Sequence, residues 1–370
     1  MSGSSGSTSE PASAWAREPV STGRLQSRRG IARAFDEFFF SPLDTRACAV
    51  LRIGFAVCVI VDLLVLRGSL DRWFGEDGVL PLAASRKLVD PNALSPFAWL
   101  PASASTLRIV FGLALTQAVL LLLGVGPRFQ ALGLLLWLQA FQVRNMLIIQ
   151  GSDIVFRTFS FYLVLMPSAA AFSVPAWLAR RRGAPLPVVR PAWGLVLFRF
   201  QMGLIYVGSA WEKLNGTDWT GGNALYYVSR LDDNFAHGPI LDSLFSSLAV
   251  CRFLTWAALA IEILLPILLW FAGTRRLGVV LGVLFHLGLE RTMNLFLLSW
   301  LMMIGLLAFL ETDDFERLRS RFGAARRTTT PSAASSGGTG SSSAKSGKTV
   351  EDRSSPSRMQ DVQHTNFLLM

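Results

Sequence analysis

The sequence is short of charge, of cysteine and of histidine, and each shortage excludes something. Only 16% of its 370 residues are charged, while 51% are hydrophobic. A soluble domain carries about 25% charged residues and cannot expose so much apolar surface. With a mean hydropathy of +0.42, an ordinary water-soluble globule is excluded. The three cysteines, Cys48, Cys58 and Cys251, have neither zinc nor redox spacing and read as small buried hydrophobes. Of the three histidines, His237 and His364 fall in a loop and a tail, so no metal site is expected around His286. The first thirty residues lack an apolar stretch followed by a small-residue cleavage site. No cleaved signal peptide is therefore expected, and the first spanning helix is expected to act as the insertion signal.

A net charge of +10 does not point to nucleic acid. The basic residues lie in the tails and in short runs such as Arg180-Arg181-Arg182 and Arg275-Arg276, between apolar segments, with no basic stripe interleaved with aromatics. That placement suits topology signals beside anionic lipid head groups, so membrane lipid is the expected partner.

A transmembrane helix needs roughly 17–25 largely apolar residues. Eight segments qualify, near 46–66, 106–124, 129–150, 154–172, 193–211, 253–272, 276–291 and 292–310. The expected fold is all-α, a polytopic bundle of about eight spans within residues 35–322. Polar tails, expected to be disordered, flank it at 1–34 and 323–370. Glu290-Arg291 interrupts the last pair, which leaves a re-entrant hairpin open there, and Arg157 near the start of 154–172 suits a tilted or partly interfacial segment. The even count puts both tails and the second, fourth and sixth loops on one side, which also collects most of the arginines. By the positive-inside rule that side is cytoplasmic. The expectation is thus a multi-pass protein of the plasma (inner) membrane with both termini cytoplasmic. Two long outer loops, near 67–105 and 212–252, carry Trp, Tyr, Pro and Gly and are expected to fold over the outer face.

A charge at membrane depth costs at least about 2.5–3.5 kcal/mol on insertion scales, so each one is a candidate. These are Arg52, Asp62, Arg199, Gln201, Glu262 and His286. The plain expectation is that they pair with one another and fix helix register. His286 and Glu290 stand four residues apart, on one helical face. The densest cluster follows the fifth segment, where an apolar helix ends in Trp211-Glu212-Lys213 and meets Asn215-Gly216, a helix stop. Lys213 there either snorkels to the interface or, desolvated, supplies a neutral amine as a base.

Several stretches resemble one family. They are Phe38-Phe39-Phe40-Ser41-Pro42-Leu43-Asp44 leading into Leu51-Arg52-Ile53-Gly54, then Gly75-Glu76-Asp77-Gly78-Val79-Leu80-Pro81, Arg144-Asn145 and Gly151-Ser152-Asp153. The fullest runs from Tyr206 to Trp219 and on through Gly222-Asn223-Ala224-Leu225-Tyr226-Tyr227, with Phe285-His286, Asn294-Leu295-Phe296 and Trp300 after it. In order and spacing, over about 36 to 310, the chain resembles the HTTM (horizontally transferred transmembrane) domain, related to the membrane part of the vitamin K-dependent gamma-carboxylase. The resemblance implies an active site open to the non-cytoplasmic side. It also implies that Lys213, in Lys213-Leu214-Asn215-Gly216-Thr217-Asp218-Trp219, matches the lysine base that acts on the vitamin K hydroquinone. Asn215 replaces the family's Asp, and the tryptophan falls one residue later.

Two functions follow as expectations. One is base chemistry on a membrane quinone or isoprenoid lipid, with a reduced quinone as co-substrate. Lys213 and His286 would be catalytic, and Tyr206, Glu212, Trp219 and Glu262 would line the pocket. The other is a non-catalytic protein binding a peptide, lipid or protein partner in maturation or immunity. A solute transporter is the third, weakened by the lack of a broken-helix pair. Only a short tail follows Leu310, so carboxylation of a protein substrate is not expected.

Overall fold

A computed structural model describes residue 30 and residues 33–89, 95–100, 103–231, 235–293, 295–317 and 319–320. The tails expected at 1–34 and 323–370 lie almost wholly outside the described residues, as does Asn294. Eight helices take up the eight apolar segments. They are α1 (Arg46–Leu66), α2 (Ala104–Leu123), α3 (Pro127–Arg144), α4 (Gly151–Leu165), α5 (Trp193–Asn215), α6 (Leu248–Trp270), α7 (Arg275–Thr292) and α8 (Leu298–Leu306). Among the described residues strand is confined to a short antiparallel pair, β1 (Pro42–Asp44) and β2 (Val189–Pro191).

Local chemistry sets the helix ends. Ser103 opens α2 by accepting from the Thr106 N–H at 3.2 Å, and Gly124, at φ 73°, closes it. Pro127 follows at the first turn of α3, where its missing N–H costs nothing. Gln150 and Asp153 form a reciprocal cap on α4.

Three helices among the described residues are long and apolar enough to cross a membrane: Arg46–Phe74, which includes α1 and its short helical continuation, Ala104–Leu123 and Leu248–Trp270. The remaining five fall short in length or in apolarity. α4 has 15 residues, about 22 Å at 1.5 Å each, against a hydrocarbon core of about 30 Å. The last segment is shorter than expected, with its apolar helix covering Leu298–Phe309. It is cut short because α7 ends at Thr292, whose carbonyl accepts from the Ala236 N–H at 3.0 Å, and α8 begins only at Leu298, after Phe296 at φ 50°.

Consecutive helices pack on one another from α1 to α8, and α8 closes the circuit against α1. Ile109, Phe129, Phe253 and Leu284 stay more than half exposed on the outside, the surface of a body solvated by lipid rather than water. Inside, helices approach closely where side chains are small. A Cβ on Gly305 would meet Met202 and Phe159, both buried. One end of the body gathers both flanks of the chain, with Arg46 bridging Asp44 and Glu316, Arg275 pairing with Glu311 and Arg276 with Asp314 at 2.5 Å. The described residues of the two long loops, 67–105 and 212–252, lie at the opposite end. In the first, Arg144 donates to the Leu80 and Gly75 carbonyls at 2.9 and 2.8 Å, and Asn145 to the Trp73 carbonyl at 2.7 Å. The Gly75–Pro81 and Arg144-Asn145 stretches thus meet as one clasp.

The expectation that the membrane-depth charges pair with each other is corrected for the arginines. Arg52 donates to the carbonyls of Leu121 at 3.1 Å and Phe172 at 2.6 Å. Arg199 donates to those of Ala308 at 2.8 Å and Leu310 at 3.4 Å. Arg52 and Asp62 stand about three turns apart on α1, too far to pair with each other, as their spacing in the sequence requires. The physical reason is that a carbonyl oxygen has two lone pairs, so those of Leu121, Ala308 and Leu310 at helix ends and of Phe172 in the loop after α4 can accept a buried guanidinium beside any backbone bond already made.

Candidate functional site

α5 carries Tyr206, Ser209 and Lys213 at spacings of three and four residues, which stack along one face. That face meets α6 and α7. Tyr206 is almost fully buried, and its hydroxyl lies 2.9 Å from His286 Nε2 on α7. His286 is 5% exposed, and its Nδ1 has no hydrogen-bond partner among the described residues.

Nearer the loop end of α5 the polar groups close into a triangle. Lys213 Nζ donates to Ser209 Oγ at 2.5 Å and to Glu262 Oε1 at 3.1 Å, and stands 3.0 Å from Glu262 Oε2. Ser209 in turn donates to Glu262 Oε2 at 3.1 Å. Glu262, on α6, is buried, while the lysine side chain keeps 20% exposure. A carboxylate so placed is tolerated because cation and hydroxyl satisfy it at once.

The helix stop builds the roof. α5 ends at Asn215, the Gly216 N–H turns back to the Lys213 carbonyl at 3.1 Å, and the short helix Thr217–Thr220 follows. That return brings the Trp219 ring to 5.0 Å from Lys213 Nζ. A Cβ on Gly216 would stand 3.3 Å from the Trp219 ring, tighter than ordinary contact, so the missing side chain eases the fold-back. The second outer loop is then knitted to α6, with the Leu225 N–H on Thr255 Oγ1 at 3.2 Å and the Trp256 indole on the Thr220 carbonyl at 3.3 Å.

Of the residues singled out in the sequence, Lys213, Glu262 and Trp219 come together as one group, and Tyr206 with His286 as a second group deeper on the same face. Glu212 is not brought in. It stands exposed on α5, and among the described residues no hydrogen bond or ion pair joins it to the cluster. Adjacent positions on a helix point about 100° apart, so a neighbour of Lys213 cannot share its face. Glu290 likewise parts from His286 and accepts from the Trp300 indole at 3.0 Å. Ser209 was missed, although its place four residues before Lys213 was the available signal. A cavity of about 530 Å³ lies elsewhere, under the first outer loop, lined by Asp71, Phe74, Glu76, Asp77, Phe97 and Arg144 among others.

A family model described as the HTTM domain matches residues 40–313, most of the chain and all eight helices. No solved structure matches the chain.

Proposed function

The chain belongs to the HTTM domain family and is a membrane protein, and from that premise we propose that it carries out base chemistry on a reduced quinone or isoprenoid lipid at the outer face of the plasma (inner) membrane. The observation that supports this reading most is the Lys213–Ser209–Glu262 triangle, stacked above Tyr206–His286 between α5, α6 and α7. Structural ion pairs inside a membrane body hold helices together, but here proton donors and acceptors line one helix face and lead in from the loop end. A reduced naphthoquinone is a weak acid that dissolves in the bilayer. A base in a site shielded from water takes its phenolic proton and leaves a phenolate, whose delocalised charge opens a ring carbon to oxygen or another electrophile.

The topology that goes with this reading has eight spans, with both termini cytoplasmic. It is supported by the ion pairs that gather both chain flanks at one end and by the arginine bias of that end. Lys213 and Glu262 then lie toward the outer leaflet, where a lipid-borne quinol enters sideways between helices. Trp219 covers the lysine, and Tyr206 with His286 lines the inner end. The resemblance to the gamma-carboxylase membrane part points to the same lysine.

The test is oxygen uptake by purified protein in detergent, supplied with a chemically reduced menaquinone-type hydroquinone. Uptake by wild type that is lost in Lys213→Ala, with the variant still folded, is the expected result. No uptake by either overturns the quinone reading and favours a protein that binds a peptide, lipid or partner without chemistry.

A further inference from the structure

We propose that the proton acceptor of this site is the Glu262 carboxylate, and that Lys213 stays an ammonium which holds the anion formed. This rests on the proposed reading of the site as a base, and it divides the work between the two residues. The argument is a count of protons and lone pairs. Every neighbour of Lys213 Nζ presents electron density: Ser209 Oγ at 2.5 Å, Glu262 Oε1 at 3.1 Å, Glu262 Oε2 at 3.0 Å and the face of Trp219 at 5.0 Å. Ser209 has one hydroxyl proton, and beside an ionised Glu262 it goes to Oε2 at 3.1 Å. It then offers Lys213 a lone pair only.

An ammonium has three donors and no acceptor, which fits these surroundings. A neutral amine has two donors and a lone pair, and that lone pair finds a donor only if Ser209 turns its proton away from Glu262 and the carboxyl already holds a proton of its own. The free amine needed for a lysine base thus requires Glu262 to have been protonated first. Glu262 is the opposite case. A carboxylate has about four lone-pair sites, and three are used by Lys213 and Ser209, which leaves one to receive a proton.

The step balances without an oxidant. The phenolic O–H bond of the quinol breaks, its proton forms an O–H bond on Glu262, and the bonding pair stays on the phenolate oxygen. Lys213 shifts its hydrogen bonds from the neutralised carboxyl to that oxygen. Negative charge moves from one partner of the ammonium to another, so the site never holds an unpaired charge. Ser209 is a positioning residue that fixes the carboxyl and blocks the amine form.

Two measurements decide this. The first needs no quinol. Whole protein in detergent near neutral pH is treated with a small amine-acylating ester, and the Lys213 and Lys87 peptides are compared by mass spectrometry, Lys87 serving as an exposed reference. Lys213 is expected to react at least tenfold more slowly than Lys87, and Glu262→Gln, of the same size, to speed it at least tenfold. Lys213 reacting at the rate of Lys87 in wild type, or no faster in Glu262→Gln, overturns the proposal. The second is turnover. Lys213→Arg, which cannot act as a neutral base, is expected to keep about a tenth of the quinol-dependent rate, while Glu262→Gln loses at least a hundredfold. The reverse ranking, an inactive arginine variant beside an active glutamine variant, overturns it. If wild type shows no turnover at all, the quinone reading falls, and acylation still reports whether Glu262 holds Lys213 as an ammonium.

Discussion

Arg52 and Arg199 lie at the end of the body that gathers the chain flanks, and Lys213 lies toward the loop end. All three are basic side chains in an apolar surround, yet they are satisfied differently. Both arginines spend their donors on backbone carbonyls, those of Leu121 and Phe172 in one case and of Ala308 and Leu310 in the other. Lys213 meets side chains only, Ser209 and Glu262, with Trp219 above it. A carbonyl cannot take up a proton near neutral pH or leave its place without unwinding the chain, so the arginines have a fixed duty. A carboxylate and a hydroxyl exchange protons and partners. The first arrangement ties side chains to the backbone, and the second is the one that the proposed chemistry would use.

That contrast can be broken at several points. The largest effect is expected for Lys213→Ala, which should lower quinol-dependent oxygen uptake per folded molecule by about 100-fold or more; it also leaves the buried Glu262 carboxylate without its cation, so the melting temperature in detergent is expected to fall as well. Gly124→Ala comes next, and its effect falls on stability. The position needs φ 73°, and a Cβ there would meet the Arg52 guanidinium and Ser173. Displacing a buried cation from its carbonyls costs about 3 kcal/mol or more, to be read as a much lower thermal midpoint. Arg199→Met removes the donors to two carbonyls and should cost about 2 kcal/mol, with uptake per folded molecule unchanged. Ser209→Ala should leave the melt within about 1 kcal/mol and lower uptake by roughly tenfold, because the triangle loosens without losing its charges. Glu212→Gln should change neither uptake nor melting, since the exposed carboxylate faces away from the site.

Much of this was legible in the sequence, and the rest failed for identifiable reasons. Hydropathy placed all eight helices because each apolar run is bounded by Pro, Gly or charge, as Gly124 and Pro127 bound α2 and α3. It overstated α4 and α8, because composition does not register the break at Phe296 or the early end at Leu165. Lys213 stood out through its position before Asn215-Gly216, and helical spacing reaches Ser209. The partnership with Glu262 spans 49 positions and depends on how α5 meets α6, which no local pattern encodes. The arginines misled for a related reason. Their acceptors are carbonyls that every residue carries, so the sequence held no mark of them and acidic partners stood in their place. Glu212 misled through adjacency, which on a helix means divergence.

The most direct test is a paired measurement of quinol-dependent oxygen uptake and thermal unfolding on Lys213→Ala and Arg199→Met beside wild type. The account predicts lowered stability in both variants, with uptake per folded molecule lost in the lysine variant and kept in the arginine variant. Equal loss of uptake per folded molecule in both variants would contradict it, because scaffold and chemistry would then not be separate parts of the molecule.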